Sequence, residues 1–556
     1  MYKALDRVNY NNLDLNRDYR KDKVTKTPAS LQCLSSVALC YCSEEVVTEA
    51  VGVIPKHLAH LLLRTSIQNL QSSAIATIIS NWPLSTLCFS EILPECYSNI
   101  FEDDMGLDLL VFRGVVRRTK ACKMKLLDLR GFKLSDTFTK LVINMWPLLS
   151  LKRSQLKAKY LTKLIKDGTG SEFSRLAETV LPKVQNELPK ILNDLLNHEM
   201  VKSAQFSIHI PSGEEMEVKL DSVKFSTSST FFIDYLICNC LRSITPITIS
   251  VSNIYIKSDL SLTEDVMDSL APFIVFSSQD SKSLDGISLK QLEEGIFFFM
   301  SPDLRRFHRL RSLDIQDCNV YLLSGRTRSQ TFHRMQLVRL LNSFDCLHRL
   351  DISFNYLLGC LGELLEALRH PLEYLSVRGC DLNEHDLECL ASSSHSKSLR
   401  ELNLSKLCQF SIYNMDRISP SYLLKIIPQF TNVAILNLAQ NHLPDSSIPD
   451  FCKTISTHLK RLVYLDIAGN ILNENSLTEL IHSVGKVKPF QLFRITCSNN
   501  LLEGMPLDAY QVNQLTAGLR RKFMNIWKDM GRTDIHLDIV RLSYAIFVDL
   551  LDIFND

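Results

Sequence analysis

The sequence predicts an α/β leucine-rich repeat horseshoe: a solenoid of parallel inner strands and outer helices, preceded by an all-helical N-terminal module. Three observations carry that expectation. One short phrase recurs between Leu310 and Leu502, its copies begin 25 to 37 residues apart, and apolar side chains alternate within each copy. The phrase reads Leu310-x-x-Leu313-x-Ile315-x-x-Cys318, then Leu347/Leu350/Ile352/Asn355, Leu372/Leu375/Val377/Cys380, Val433/Leu436/Leu438/Asn441 and Leu462/Leu465/Ile467/Asn470. A weaker copy is Leu492/Ile495/Cys497/Asn500, and Leu399/Leu402/Leu404 fits the strand but puts Leu407 in the Asn/Cys slot, so its turn should differ. This is the leucine-rich repeat pattern, a strand followed by an Asn or Cys that satisfies backbone groups in the turn. The spacing leaves room for a helix after each strand, and wider helices force the strands to the inside of the stack.

Taken in order, residues 1–26 are polar and charged and read as a flexible arm. Thr27-Pro28 opens a helix whose amphipathic face comprises Leu31, Leu34, Ser35, Ala38 and Leu39. Ile54-Pro55 starts a second helix with Leu58, Leu61, Leu62 and Ile67. A third runs from Ala74 to Ile79, stopping at Asn81-Trp82-Pro83, with further helix through Ile92. The helical module is placed at 27–110. Residues 111–300 read as divergent repeats, with an early strand at Leu127/Leu129, a polar insertion near 151–200 and a degenerate copy at Ile244/Ile247/Ile249. The main array is placed at 301–505. The segment 506–556 then caps it, through a helix with Leu515, Leu519, Phe523, Ile526, Trp527 and Met530 on one face.

A net charge of +1 gives no whole-molecule drive towards nucleic acid or anionic membrane. The apolar runs are too short to span a bilayer and the first residues lack a signal peptide's apolar core. The expected setting is therefore reducing and cytoplasmic, where 16 cysteines serve as small buried hydrophobes and the sequon Asn403-Leu-Ser405 goes unused. The basic residues around Arg113, Arg117, Arg118, Lys120, Lys123 and Lys125 could form a nuclear-import signal. With no interleaved aromatics, a solvated face is the better reading. His57-x-x-His60 near Cys40 and Cys42 gives too few, irregularly spaced ligands for zinc. No phosphate loop, nucleophile elbow or paired Cys-x-x-Cys is present, so neither catalytic residues, metal nor cofactor are expected.

The inner strand surface is the informative one. Alternation puts Leu313 and Ile315 in the core and the residues between them on the concave face. The candidate partner-binding residues there are Asp314, Arg349, Asp351, Tyr374, Arg378, Glu401, Asn437, Tyr464 and Asp466. Asp314, Asp351 and Asp466 form one column, with Tyr374 and Tyr464 in its neighbour. Acids beside exposed tyrosines suit a protein client that carries Lys or Arg.

Ser30-Leu-Gln-Cys-Leu-Ser-Ser-Val-Ala-Leu39, Ile54-Pro-Lys-His-Leu58, Asn81-Trp-Pro-Leu84, Lys125-Leu-Leu-Asp-Leu-Arg130 and His370-Pro-Leu-Glu-Tyr-Leu375 resemble the PRAME family. The resemblance runs over almost the whole chain and is thin across 135–300. It implies a substrate receptor of a cullin-RING ubiquitin ligase that binds Elongin C, with Elongin B, and a cullin through two adjoining boxes. Leu31, Ser35 and Leu39 match the Elongin-binding box, in which steps of four line side chains along one helical face. Ser35 stands where Cys or Ala is commoner. Ile54, Pro55 and Leu58 match the start of the cullin box. The same helices can instead cap the end of the solenoid. The resemblance also implies an alternative role, restraint of NF-κB signalling through a kinase of the IKK complex, for which no residue here matches a motif.

Overall fold

A computed structural model describes residues 31–92, 107–130, 216–226, 247–257, 284–292, 297–298, 301, 304–305, 307–322, 328–408, 418–470, 472–497 and 509–541. The stretches expected to form a flexible arm (1–26), a polar insertion (near 151–200) and the start of the first helix at Thr27-Pro28 lie outside them. The chain divides into two compact units. One comprises residues 1–126 with 132–135, the other 127–131 with 136–556.

The first unit is built from α1 (Leu31–Cys40), α2 (Glu44–Val53), α3 (Ala59–Gln68) and α4 (Ser72–Ser80). β1 (Thr86–Cys88), α5 (Phe89–Ile92) and α6 (Leu107–Val116) complete it. α2 went unread in the sequence. It ends at Ile54, extended ahead of Pro55, and a single tight turn, Lys56–Leu58, leads into α3. The module is therefore not all helix, because β1 interrupts it. Its core is α4, buried from Ala74 to Ser80, around a fully buried Trp82 whose indole N–H donates to the Thr86 carbonyl at 2.9 Å. Gly114 of α6 lets the helices touch. A Cβ there would come within 2.7 Å of Ile79 Cβ and 2.9 Å of the Ala76 carbonyl.

In the second unit the strands lie side by side in sequence order, each pair parallel. They are β3 (Met216–Ser226), β4 (Ile247–Lys257), β5 (Gly286–Lys290), β6 (Ser312–Asp314), β7 (Arg349–Asp351), β8 (Tyr374–Ser376) and β9 (Glu401–Asn403). β10 (Ile435–Asn437), β11 (Tyr464–Asp466), β12 (Leu492–Cys497) and β13 (His536–Arg541) continue the row. At its start stands β2 (Leu126–Asp128), after which Leu129 N–H donates to the Lys219 carbonyl. Between the later strands run α7 (Arg328–Leu341), α8 (Leu361–Glu366), α9 (Glu384–Ser392), α10 (Pro420–Ile426), α11 (Ile448–Thr457), α12 (Glu474–Gly485) and α13 (Ala509–Asp529).

The repeat's polar slot works as a clip between coils. Asn441 Oδ1 accepts from the N–H groups of Leu407 and Cys408, while its Nδ2 donates to the carbonyls of Leu404 and Leu438. Asn355 and Asn470 do the same for the coils before them. Cys318 and Cys380 give only a thiol, to the carbonyls of Leu289 and Ile352. Burial pushes the Cys318 thiol up to about 12, so it stays protonated and able to donate. The residue before each slot has positive φ: Asp317, Phe354, Gly379, Lys406, Gln440 and Gly469. Lys406 shows that the Leu407 coil keeps the common turn. Only the side-chain clip is lost there, and Asn441 of the next coil serves its N–H groups.

Two readings of the array's end need correction. β12 pairs Leu465 with Phe493, so the sixth copy is Phe490/Phe493/Ile495, two residues earlier than Leu492/Ile495/Cys497. All three side chains are buried. α13 does seat Phe523 and Trp527 in the core, with the Trp527 indole N–H donating to the Ile481 carbonyl at 2.9 Å. It is not the last element, however. β13 follows it and pairs along its length with β12, burying Ile535, Leu537 and Ile539.

Candidate functional site

In the first unit, α1 turns its small polar residues inward. Ser36 and Cys40 are buried, the Cys40 thiol lies 3.0 Å from Ser66 Oγ of α3, and burial raises its pKa. The apolar side chains named from the sequence point the other way. Leu31 is 80% exposed, Leu34 and Ser35 are exposed, and Leu39 is half-buried. Ile54 and Leu58 are half-buried and Pro55 is exposed at the turn into α3. Tyr41, Val46 and Val53 add to the exposed apolar surface of α1 and α2. His57 is exposed, and His60 meets the edge of Trp82 with ring centroids 5.2 Å apart. Among the described residues no group of three or more His, Cys, Asp and Glu side chains gathers.

In the second unit the register aligns the inner face as the alternation implied. One column holds Ser312, Arg349, Tyr374, Glu401, Ile435 and Tyr464. The next holds Asp314, Asp351, Ser376, Asn403, Asn437 and Asp466.

The acids of that second column have a structural task. Each Oδ1 accepts the N–H two residues on: Asp314 from Gln316, Asp351 from Ser353, Asn403 from Ser405, Asn437 from Ala439 and Asp466 from Ala468. This Asx turn ends the strand and starts the coil's bend. The second oxygen of each acid is also taken. Ser288 and Lys290 serve Asp314, the Tyr374 hydroxyl donates to Asp351 at 3.0 Å, and the Tyr464 hydroxyl donates to Asp466 at 3.1 Å. Arg494 lies 3.9 Å from Asp466 and 3.1 Å from Asp538. Arg349 holds Glu401 with two parallel bonds of 3.0 and 3.1 Å while stacking on the Tyr374 ring at 4.3 Å.

The expectation of acids beside exposed tyrosines is therefore corrected. Tyr464 is only 6% exposed, and Asp314 and Asp466 are likewise buried. Burial raises both carboxyls; the Asp351 charge adds to the effect at Asp314, and Lys290 and Arg494 oppose it at their respective partners. Burial and the Asp466 charge raise the Tyr464 hydroxyl. Arg349, Asp351, Tyr374, Arg378, Glu401 and Asn437 remain half-exposed. Reading from sequence missed Ser288, Lys290, Arg494 and Asp538. The alternation Ile287/Leu289 would have found the first pair. The Phe490/Phe493 frame would have found Arg494.

A sheet of parallel strands in sequence order, in which β6, β7, β9, β10 and β11 end in the same turn and β6 to β12 are each followed by a helix, defines a leucine-rich repeat scaffold of the protein-binding type. Residues 293–550 match the family model of the PRAME C-terminal domain. The chain is similar to leucine-rich repeat-containing protein 14 of Rattus norvegicus, 21% identical over 81% of this chain and 84% of that protein. It is 30% identical to the Mus musculus protein of the same name over 32% of this chain and 35% of the relative. Oogenesin-3 of Mus musculus is 33% identical over 16% of this chain and 19% of its own length. Among solved structures, the leucine-rich repeat-containing protein LegL7 from Legionella pneumophila aligns with a TM-score of 0.34 at 16% identity, over 59% of this chain and 91% of that one.

Proposed function

We propose that this protein is a non-catalytic adaptor of a cullin-RING ubiquitin ligase. Its first helices hold Elongin C, with Elongin B, and a cullin, and its inner strand face holds a client for other subunits to ubiquitinate. The observation that carries this reading is the inverted polarity of α1, which buries Ser36 and Cys40 while leaving Leu31, Leu34 and Ser35 in solvent. A helix that exposes its leucines in the free chain is matched to an apolar partner groove. Leu31, Ser35 and Leu39 would meet Elongin C, and Ile54, Pro55 and Leu58 the cullin.

The double substitution Leu31→Ala with Pro55→Ala is expected to abolish co-purification of Elongin and cullin while moving thermal unfolding little, since both side chains are exposed. Undiminished capture would remove the reading. In the alternative, an inhibitor that sequesters a signalling kinase complex of the IKK type, activity survives those substitutions and is lost on changing Asp351 or Tyr374.

A further inference from the structure

Among the described residues, the strand-end column of the inner face has a place where its own pairing stops. In the column that ends each strand, the outward oxygen of Asp314, Asp351 and Asp466 is already bonded. Asn403 and Asn437 differ. Their Oδ1 atoms are fixed by the N–H groups of Ser405 and Ala439, which sets the carboxamide orientation and turns both Nδ2 groups away from the turn. Neither Nδ2 donates to any described residue. The two asparagines are direct partners in the parallel register of β9 and β10, so their amides stand about 4.8 Å apart, one strand spacing. Two N–H donors at that separation can each reach one oxygen of a single carboxylate at an ordinary distance of about 2.9 Å.

A cation stands beside them. Arg378 follows Ser376 by two residues, and Ser376 pairs with Asn403. Its guanidinium lies over the Phe354 ring, 5.1 Å from the centroid, and its Nε is buried without a hydrogen-bond partner; the charges of Asp351 and Asp466 act on it, but no carboxylate among the described residues forms an ion pair with it. Lys290, Arg349 and Arg494 on the same face each have an acid in hand. In the following coils the position of Arg378 is taken by the small residues Ser405 and Ala439.

We infer that Arg378, Asn403 and Asn437 form a subsite for a client's Asp or Glu side chain, presented by an extended segment lying across β8 to β10. This rests on the reading of the inner face as the client surface and specifies its chemistry: acidic, not the basic client that the aspartate column suggested. Ile435, half-exposed beside Asn437, offers apolar contact for the neighbouring residue of the segment.

The neighbouring strands supply the variant that tests it. Asp at this column makes the same turn in β7 and β11, so Asn403→Asp with Asn437→Asp keeps the fold and replaces two outward donors by two acceptors. Random peptides displayed on phage are selected on the purified full chain and on this variant. The wild type is expected to enrich peptides sharing an Asp or Glu, whose Gln or Asn forms bind at least about tenfold more weakly, a loss of about 1.4 kcal/mol. Arg378→Gln should weaken the same peptides by a similar factor, and the double Asp variant should enrich Lys or Arg instead.

Enrichment without an acidic residue, no enrichment at all, or an unchanged preference in the double variant would overturn the subsite. Elongin co-purification and thermal unfolding are followed on the same preparations. Retained Elongin capture with failed peptide selection discards the subsite alone. Lost capture by the double variant Leu31→Ala with Pro55→Ala, with intact peptide selection, leaves the adaptor reading in place. If capture survives that substitution, the adaptor reading falls and the subsite stands.

Discussion

The two units handle apolar and polar surface in opposite ways. In the helical unit Leu31, Leu34, Tyr41, Val46, Val53 and Leu70 stand exposed, whereas among the described residues of the array only Phe332 and Met335 are large apolar side chains so exposed. The array shows the reverse. Its inner face is polar, and the carboxylates described in its two columns are bonded to neighbouring coils or side chains. One unit keeps unfinished hydrophobic surface, and the other, among its described residues, keeps a hydrogen-bond ladder that stops at Asn403 and Asn437. Stability should therefore be sensitive to polar substitutions in the array and indifferent to apolar substitutions on α1.

The sharpest break of that contrast is Asn441→Ala. It strips partners from two N–H groups and two carbonyls in the buried turn, and is expected to cost about 3 kcal/mol in urea unfolding. A loss no larger than that of Leu31→Ala would end the comparison.

Two glycines sharpen it next, with opposite signs. Gly379 has φ +59, and a Cβ there would lie 2.7 Å from the Phe354 ring, so Gly379→Ala should destabilise the array by about 2 kcal/mol. Gly52 lies exposed in α2 with nothing within 4 Å of a built Cβ. Gly52→Ala should stabilise by about 0.5 kcal/mol through helix propensity alone, read as a raised midpoint.

A pH series tests the ladder's dependence on one neutral ring. His395 Nδ1 accepts from the Leu372 N–H at 2.9 Å and Nε2 donates to the Leu365 carbonyl at 3.0 Å, so protonation must break the first bond. Burial lowers its pKa from the usual 6.5, with the Leu365 bond partly opposing. The folded state then binds this proton less readily than the unfolded chain. Its contribution is complete above 6.5 and is lost as pH falls below that value. His395→Gln, which keeps an acceptor and a donor, should flatten the midpoint's fall between pH 7 and 5. Parallel curves for the two proteins would show that His395 has no part in it.

Much of the fold was legible in particular residues. Leu313, Leu350, Leu375, Leu402, Leu436 and Leu465 were all read as core, and the register puts them in one buried column. The sixth copy went wrong because Leu492 and Ile495 match the phrase by residue type. A slip of two leaves every side chain on its proper face, so alternation alone does not detect it. α2 was missed because its buried line is only Val47 and Val51, while Val46 and Val53 lie on its exposed side and blur the amphipathic period. The partner face was half legible. The columns were correct, but the acids taken as seeking a partner were turn-formers already served by Tyr374, Tyr464, Lys290 and Arg494.

The sequence by itself determined the repeat, its strand columns and its polar slots, because those follow from periodicity and from chemistry that returns at a fixed position in each coil. Tertiary structure decided which side of α1 meets solvent, which frame β12 takes, and which polar atoms remain unbonded. Each of these depends on a partner tens of residues away, and a hydrogen bond or a buried contact exists only when the second group has been brought to it.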